Sequence, residues 1–390
     1  MKILYVHNEY KKISGEEQAA KAIAKLLSEN GHEIFWYTKK SEDIFKTRLG
    51  KLKSFFSGIY SFHSKKEIKK LLSIEKPDLV IVQNIYPLIS ISIFSEIKKA
   101  GIPLIMRTPN YRLFCPSGLF FSKNQICEKC TGFGKEIHCI INNCEENIFK
   151  SFSYALRNTI ARISKQILKH VDIFIVQTEF QKQKFIDFGI NPNKLLILPG
   201  LTELNSNTTF TIGETVSFIG RVSKEKGIVD FIKAAEMLPE IPFLVVGDYS
   251  SLPNIIEKVP LNVTFLGFQT GAELEQIYFN SRIVIISSNW YEGFPNTIIK
   301  AMALGKPIIS TKIGAMTSIV KNNVTGLFYE PHNYQQLANQ INILYNDLEM
   351  CKTYGENAKN DVNRNYNRKS IYLQLINIYN QAIEKKTKIN

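Results

Sequence analysis

Apolar and polar positions along this chain follow two rhythms. Short runs rich in Val, Ile and Phe alternate with longer segments in which apolar residues return every three or four positions. That alternation predicts parallel strands joined by helical crossovers. In the first half the runs place strands at Lys2–His7, Glu33–Thr38, Asp78–Gln83, Pro103–Arg107, Ile173–Gln177 and Leu195–Leu198. Between the first two, Ala19, Ala20, Ile23, Leu26 and Leu27 share one face of a helix Glu16–Asn30, and Gly31 supplies its stop. The aromatic and basic stretch Phe45–Phe62 fits neither period. It reads as a loop-helix at an acceptor or membrane face, or as an irregular insertion.

Pro199-Gly200 and the Asn- and Thr-rich residues Leu201–Gly213 read as a linker, after which the pattern restarts. Strands are predicted at Thr215–Ile219, Phe243–Val246, Val263–Phe265, Ile283–Ile286 and Pro307–Thr311. Helices are predicted at Ile228–Met237, Ala272–Asn280, Asn296–Leu304 and Tyr334–Asn346. The tail Arg368–Lys386 is helical, with Ile371, Leu375, Ile378 and Ile383 on one face. The expectation is α/β: two Rossmann-like doubly wound domains facing across a cleft. They occupy residues 1–200 (with a Cys-rich insertion at 110–145) and 201–367, and the helix 368–390 crosses back to the first domain. In such sheets ligands bind at the carboxyl ends of the strands.

Charge changes this picture in one respect. The net charge of +14 over 390 residues is unevenly placed: residues 1–199 hold 31 Lys and Arg against 18 Asp and Glu, residues 200–390 hold 18 against 17. Either this is a solvated Lys-rich surface, or the first half faces an anionic partner such as a phospholipid surface or a diphosphate-linked lipid. No zinc-finger, basic-zipper or aromatic RNA-binding signature points to nucleic acid. Apolar runs such as Leu79–Val82 fall far short of the ~20 residues that span a bilayer. The apolar N-terminus stops at Asn8-Glu9, too short for a secretory signal. The chain is therefore expected in the cytoplasm.

Three loops carry candidate chemistry. Ser14-Gly15-Glu16 lies between the first strand and its helix, where a glycine and free helix amides suit a close approach to a bound group. It is not a Gly-x-Gly-x-x-Gly pattern, so a nicotinamide or flavin reading has little support. Gly220-Arg221-Val222-Ser223-Lys224-Glu225-Lys226-Gly227 follows a predicted strand, and Arg221 and Lys226 are both suited to a diphosphate. In Asn289–Thr297, Glu292 is placed to accept hydrogen bonds from sugar hydroxyls, and the segment Phe294 to Thr297, Pro295 and Asn296 within it, opens a helix whose free amides can hold phosphate.

Tyr291-Glu292-Gly293-Phe294-Pro295, followed by Ala301-Met302-Ala303-Leu304-Gly305-Lys306-Pro307-Ile308-Ile309, resembles the signature of glycosyltransferase family 4, retaining enzymes of the GT-B fold. Gly220-Arg221 with Lys226-Gly227 resembles that family's phosphate-binding pair. Gly15 resembles its N-terminal glycine loop, and Gly326-Leu327 a late strand beside the cleft. The resemblance covers nearly the whole chain. It implies that Arg221 and Lys226 neutralise the departing diphosphate and that Glu292 orients the donor sugar. Gly15, Gly220, Gly293, Phe294, Pro295, Asn296, Thr297 and Lys300 then contact the donor nucleotide-sugar, a UDP- or GDP-sugar. It also implies front-face attack with the leaving phosphate helping to take the acceptor proton, and no catalytic metal or other cofactor.

Two residues depart from the family pattern. Lys300 stands where the family places a second Glu, eight residues after Glu292, against the ribose. A cation cannot accept ribose hydroxyl hydrogens. Pro109, within Arg107-Thr108-Pro109-Asn110-Tyr111-Arg112, stands at the position of a family His. Five of six cysteines, Cys115, Cys127, Cys130, Cys139 and Cys144, fall in the insertion, which resembles that of a Cys-rich subgroup. Three readings stand there: a structural zinc held by Cys127 and Cys130 with Cys115 and either Cys144 or Cys139, free buried thiols, or a disulfide.

The function expected is retaining transfer of a hexose-type sugar to a glycan or polyprenyl-diphosphate-linked acceptor. The product would serve O-antigen, capsule or lipopolysaccharide synthesis, at the inner face of the cytoplasmic membrane. The alternative is a catalytically weak donor-binding or scaffold subunit of a transferase complex, suggested by Lys300 and Pro109.

Overall fold

The computed structural model describes residues 1–10, 15–46, 49–201 and 211–387. They group into two units. One is Met1–Phe120 with Cys127–Leu201 and Ile371–Asn390, and the other is Phe121–Ile126 with Thr202–Ser370. Most of the expected linker, residues 202–210, and Ser14 of the first glycine loop lie outside the described residues.

The first unit is built on strands β1 (Lys2–Glu9), β2 (Glu33–Lys40), β3 (Leu79–Asn84) and β4 (Leu104–Arg107). After a short antiparallel pair, β5 (Phe121–Ser122) and β6 (Gln125–Ile126), it continues with β7 (Ile173–Val176) and β8 (Leu195–Ile197). The sheet order is β2-β1-β3-β4-β7-β8, every pairing parallel. Helices cover both faces of such a sheet, which is why its central strands read as unbroken apolar runs. Ile3 to Val6 and Leu79 to Val82 are fully buried.

On one face, the helix Gly15–Glu29 buries Ala20, Ile23, Ala24, Leu26 and Leu27. The last helix, Arg368–Thr387, belongs to this unit from Ile371 onward. Its Ile371, Leu375, Ile378, Tyr379 and Ala382 join the same core as Ile3, Tyr5 and Ile81. The Tyr379 and Tyr5 hydroxyls meet at 3.4 Å. Ile383, expected in this stripe, is only half-buried; Tyr379 and Ala382 occupy the face instead.

Phe45–Phe62, which matched neither period, resolves into a short 3-10 turn Ser41–Phe45 and a helix Gly50–Ile59, with residues 47–48 outside the described set. The helix Leu348–Asn365 is absent from the sequence-based reading. Its buried stripe is Cys351, Tyr354, Gly355, Ala358 and Val362, mostly small or polar-edged side chains that give a weak apolar period.

The second unit contains β9 (Thr215–Ile219), β10 (Phe243–Val246), β11 (Val263–Gly267), β12 (Ser281–Ile286), β13 (Ile308–Thr311) and β14 (Gly326–Tyr329). The order is β11-β10-β9-β12-β13-β14, again all parallel. The winding therefore reverses between β9 and β12, which is where doubly wound sheets open a crevice at the strand ends. Two Rossmann-like α/β units of this kind make the GT-B fold. Among the described residues, no helix is long and apolar enough to cross a membrane.

Lys306 is an exception inside this core, at 1% exposure. Its ammonium donates to the carbonyls of Thr211 at 2.5 Å and Phe279 at 2.9 Å, tying the start of the unit to the end of helix Gly271–Asn280. Burial pushes its pKa down from 10.5 to about 8. The folded pKa thus lies below the unfolded one. Below pH 8 both states hold the proton and the folded state bears the desolvation cost. Between pH 8 and 10.5 the folded state releases it first, so stability rises with pH. Relative to Lys306→Met, the wild-type protein should gain up to about 3 kcal/mol across that window, measured by chemical denaturation at each pH. A parallel pH dependence of the two proteins would refute this account of Lys306.

Candidate active site

The reversal between β9 and β12 holds a cavity of about 200 Å³. Its walls are the end of β9 (Phe218–Gly220), the end of β12 with Ser287 and Ser288, Lys226, Glu292 and the segment Phe294–Thr297. The loops after two neighbouring strands therefore converge on one concavity.

These loops are stitched together by hydrogen bonds. The amide of Asn289 donates to the Glu225 carbonyl at 2.8 Å, and Ser287 Oγ donates to the Lys226 carbonyl at 2.9 Å. Gly227, at φ 71°, makes the close approach possible: a Cβ there would lie 1.7 Å from the Ser287 carbonyl oxygen. Thr297 Oγ1 donates to the Ile219 carbonyl at 3.3 Å, fastening the following helix to the end of β9.

The polar centre is Glu292, a buried carboxylate. Its Oε1 accepts from Lys226 Nζ at 2.5 Å, Ser288 Oγ at 2.7 Å and Trp290 Nε1 at 3.0 Å. The Lys226 ammonium also lies 5.5 Å from the Trp290 ring. Beneath the loop, Asn289 Nδ2 donates to Asp230 Oδ2 at 2.8 Å, and His332 lies beside both. The helix Asn296–Ala303 starts at the cavity wall with no side-chain cap on its first turn. Uncapped amides and the positive end of the helix favour an anion there.

Of the site residues expected from sequence, Gly220, Lys226, Glu292, Phe294, Pro295, Asn296 and Thr297 line the cavity. Gly293 is buried in the same loop without forming the wall. Arg221 is exposed and donates to Glu225 Oε1 at 2.5 Å, outside the cavity. Lys300 is half-buried on the helix, lines no part of the cavity and makes no side-chain hydrogen bond or ion pair among the described residues. Gly15 belongs to the first unit, exposed at the first position of its helix. Ser288 and Trp290 were missed by sequence reasoning. Their signal is local, since both sit within four residues of Glu292, but only the fold of the loop turns them toward its carboxylate.

The cysteine insertion departs from the zinc expectation. Among the described residues, no group of three or more His, Cys, Asp or Glu is arranged to hold a metal ion. Cys115 Sγ is 3.3 Å from Ser117 Oγ, and Cys127 Sγ accepts from Asn142 at 4.0 Å. Cys130 and Cys139 form a small buried cluster with Ala155, and Cys144 packs against it. Burial and the neighbouring thiols push Cys130 up to about 12; a hydrogen bond with Cys144, then burial, push Cys139 higher still. All six cysteines are free thiols, and zinc at Cys115, Cys127, Cys130 and Cys144 finds no support among the described residues.

Residues 204–361 match the family model described as glycosyl transferases group 1. An uncharacterized glycosyltransferase of Methanocaldococcus jannaschii is 28% identical over 58% of this chain and 60% of its own length. The capsular polysaccharide biosynthesis glycosyltransferase CapM of Staphylococcus aureus is 27% identical over 46% of this chain and 48% of its own. The matches thus span less than two thirds of either relative. The crystal structure of Anabaena HepE in complex with UDP superposes with a TM-score of 0.69 at 18% identity, covering 98% of this chain and 100% of that one. The fold is GT-B.

Gly227→Ala should lower the stability of the second unit by about 1–3 kcal/mol, because backbone must move to admit the new Cβ. Gly15→Ala, with nothing within 4 Å, should change stability by less than about 0.5 kcal/mol. Thermal melts of the two variants check the contrast, and equal shifts would contradict it.

Proposed function

We propose that this chain is a retaining, metal-independent glycosyltransferase of family 4. It moves a hexose-type sugar from a UDP- or GDP-sugar to a glycan or polyprenyl-diphosphate-linked acceptor in surface-polysaccharide synthesis. It works in the cytoplasm, held peripherally at the inner membrane face by its basic first half. The observation that carries the reading is Lys226 and Glu292 meeting at the wall of a cavity that also holds an uncapped helix start. The matched family and the capsule-synthesis relative support the transferase class and the polysaccharide context. The UDP-bound relative supports a nucleotide donor.

In this reading the donor diphosphate lies on the first amides of the helix Asn296–Ala303 and takes Lys226 Nζ as its cation. Arg221 exchanges Glu225 for the phosphates. Glu292, steadied by Ser288 and Trp290, accepts hydrogen bonds from donor-sugar hydroxyls. The acceptor hydroxyl oxygen attacks the anomeric carbon on the face from which the diphosphate leaves. The carbon–phosphate-oxygen bond breaks, and the hydroxyl proton passes to the departing phosphate oxygen. Lys226, Arg221 and the helix amides stabilise the charge that develops there. Lys300, which is not part of the cavity wall in this structure, either turns to approach a phosphate or marks a tolerated loss of the family's ribose contact.

Initial rates with a panel of nucleotide-sugars test this. Arg221→Ala and Lys226→Ala should each lower kcat about 100-fold, and the product should keep the donor's anomeric configuration by NMR. Inversion, or activity abolished by a chelator, would contradict the mechanism. Lys300→Glu separates the two readings of that residue: reduced activity assigns it a phosphate contact, while unchanged or improved activity marks a tolerated loss.

A further inference from the structure

The first unit contains a cavity of about 570 Å³ that the transfer chemistry does not use. This is within the range of roughly 300–1,000 Å³ typical of small-molecule sites. Its lining is mainly apolar: Leu113, Phe114, Phe133, Ile167, Leu168 and Phe188 supply most of it. The aromatic wall is firmly packed. Phe114 and Phe188 meet at 4.8 Å between centroids, and Phe114 is 5.1 Å from Phe185 behind it.

The rim is unusual for a surface in water. Phe133 is 79% exposed and Leu168 39%, and Ile163, on the helix that forms one wall, is 57% exposed. Exposed lysines lie within a few residues of these in the chain: Lys129 and Lys135 flank Phe133, and Lys165 and Lys169 flank Leu168. The carboxylate at the edge, Asp187, accepts from Gln183 at 2.8 Å. Apolar tips interspersed with cations suit the boundary of an anionic lipid phase.

Arg112 lines this cavity and also a small neighbouring one of about 20 Å³, room for about one water. The small one lies at the carboxyl ends of β3 and β4, beside Gln83, Asn84, Arg107 and Asn110. Arg112 Nη1 donates to Tyr10 Oη at 2.7 Å, which holds the guanidinium in place. An apolar chamber with a fixed cation on its wall matches a molecule with a hydrocarbon tail and a phosphate.

We propose that the cavity takes the hydrocarbon chain of a lipid-phosphate acceptor, with the phosphate at Arg112. This deepens the transferase reading and rests on it for the word acceptor; the lipid site itself stands on the geometry of the first unit.

The test titrates the full chain with farnesyl phosphate below its micelle concentration and, separately, with inorganic phosphate. Farnesyl phosphate should bind at least about 100-fold more tightly, because the chain leaves water. Ala161→Trp, which fills the cavity from its wall, should remove at least tenfold of that affinity. Phe133→Ser, at a largely exposed position where folding is not at risk, should weaken binding in the same direction. Equal affinity for the two phosphates, or farnesyl phosphate binding unaffected by both variants, overturns the proposal. Nucleotide-sugar binding by the second unit is measured on the same samples. Its absence with farnesyl phosphate binding intact removes the transferase reading alone; its presence with no preference for the farnesyl chain removes this inference alone.

Discussion

The contact between Lys226 and Glu292 ties together the two loops that wall the second unit's cavity. Sixty-six residues separate the two in sequence, yet one oxygen of the carboxylate receives the ammonium, a serine hydroxyl and an indole N–H together. A buried carboxylate is costly unless such donors surround it, and removing one partner of a buried pair costs more than the pair contributes. The contact forms only because the loops after β9 and β12 are adjacent, which follows from the strand order. It also requires a residue without a side chain at position 227, where the two loops press together. The sheet topology, the glycine and the ion pair are thus a single arrangement.

In the proposed reaction the same arrangement explains why the site needs little beyond its own cations. Phosphate binding uses groups already aimed at one spot by the backbone: an uncapped helix start and a lysine held in place by Glu292. Reorganisation on binding is then small, which is what makes preorganised electrostatics effective. Arg221 is the exception. Its guanidinium sits outside the cavity with Glu225, so its contribution depends on an exchange of partners. The first unit supplies a different chemistry, an apolar chamber walled by Phe114, Phe133 and Phe188 with Arg112 at its lining.

Much of this was legible in the sequence. The parallel strands were found because both faces of each sheet are covered, so that Ile3–Val6 and Ile283–Ile286 are continuous apolar runs. Lys226, Glu292 and Phe294–Thr297 were legible because strand ends and helix starts are where such folds put their ligands. Other features escaped for physical reasons. The helix Leu348–Asn365 buries small and polar-edged side chains, so its period is faint. Ser288 and Trp290 gain meaning only from the curl of their loop. The cysteine spacing suggested zinc ligands, and the fold buries Cys130 and Cys139 together beside Ala155; spacing alone does not fix how such thiols are arranged in space. No sequence pattern distinguishes Arg221 paired with Glu225 from Arg221 facing the cavity.

A crystal structure of the chain with the best-bound nucleoside diphosphate sugar tests the central claim most directly. The account predicts the diphosphate within about 3 Å of Lys226 Nζ and of the first amides of the helix Asn296–Ala303, with Glu292 still held by Ser288 and Trp290 and turned to the sugar. A nucleotide bound away from this cavity, or one bound in it while Lys226 stays on Glu292 and touches no phosphate, would contradict it.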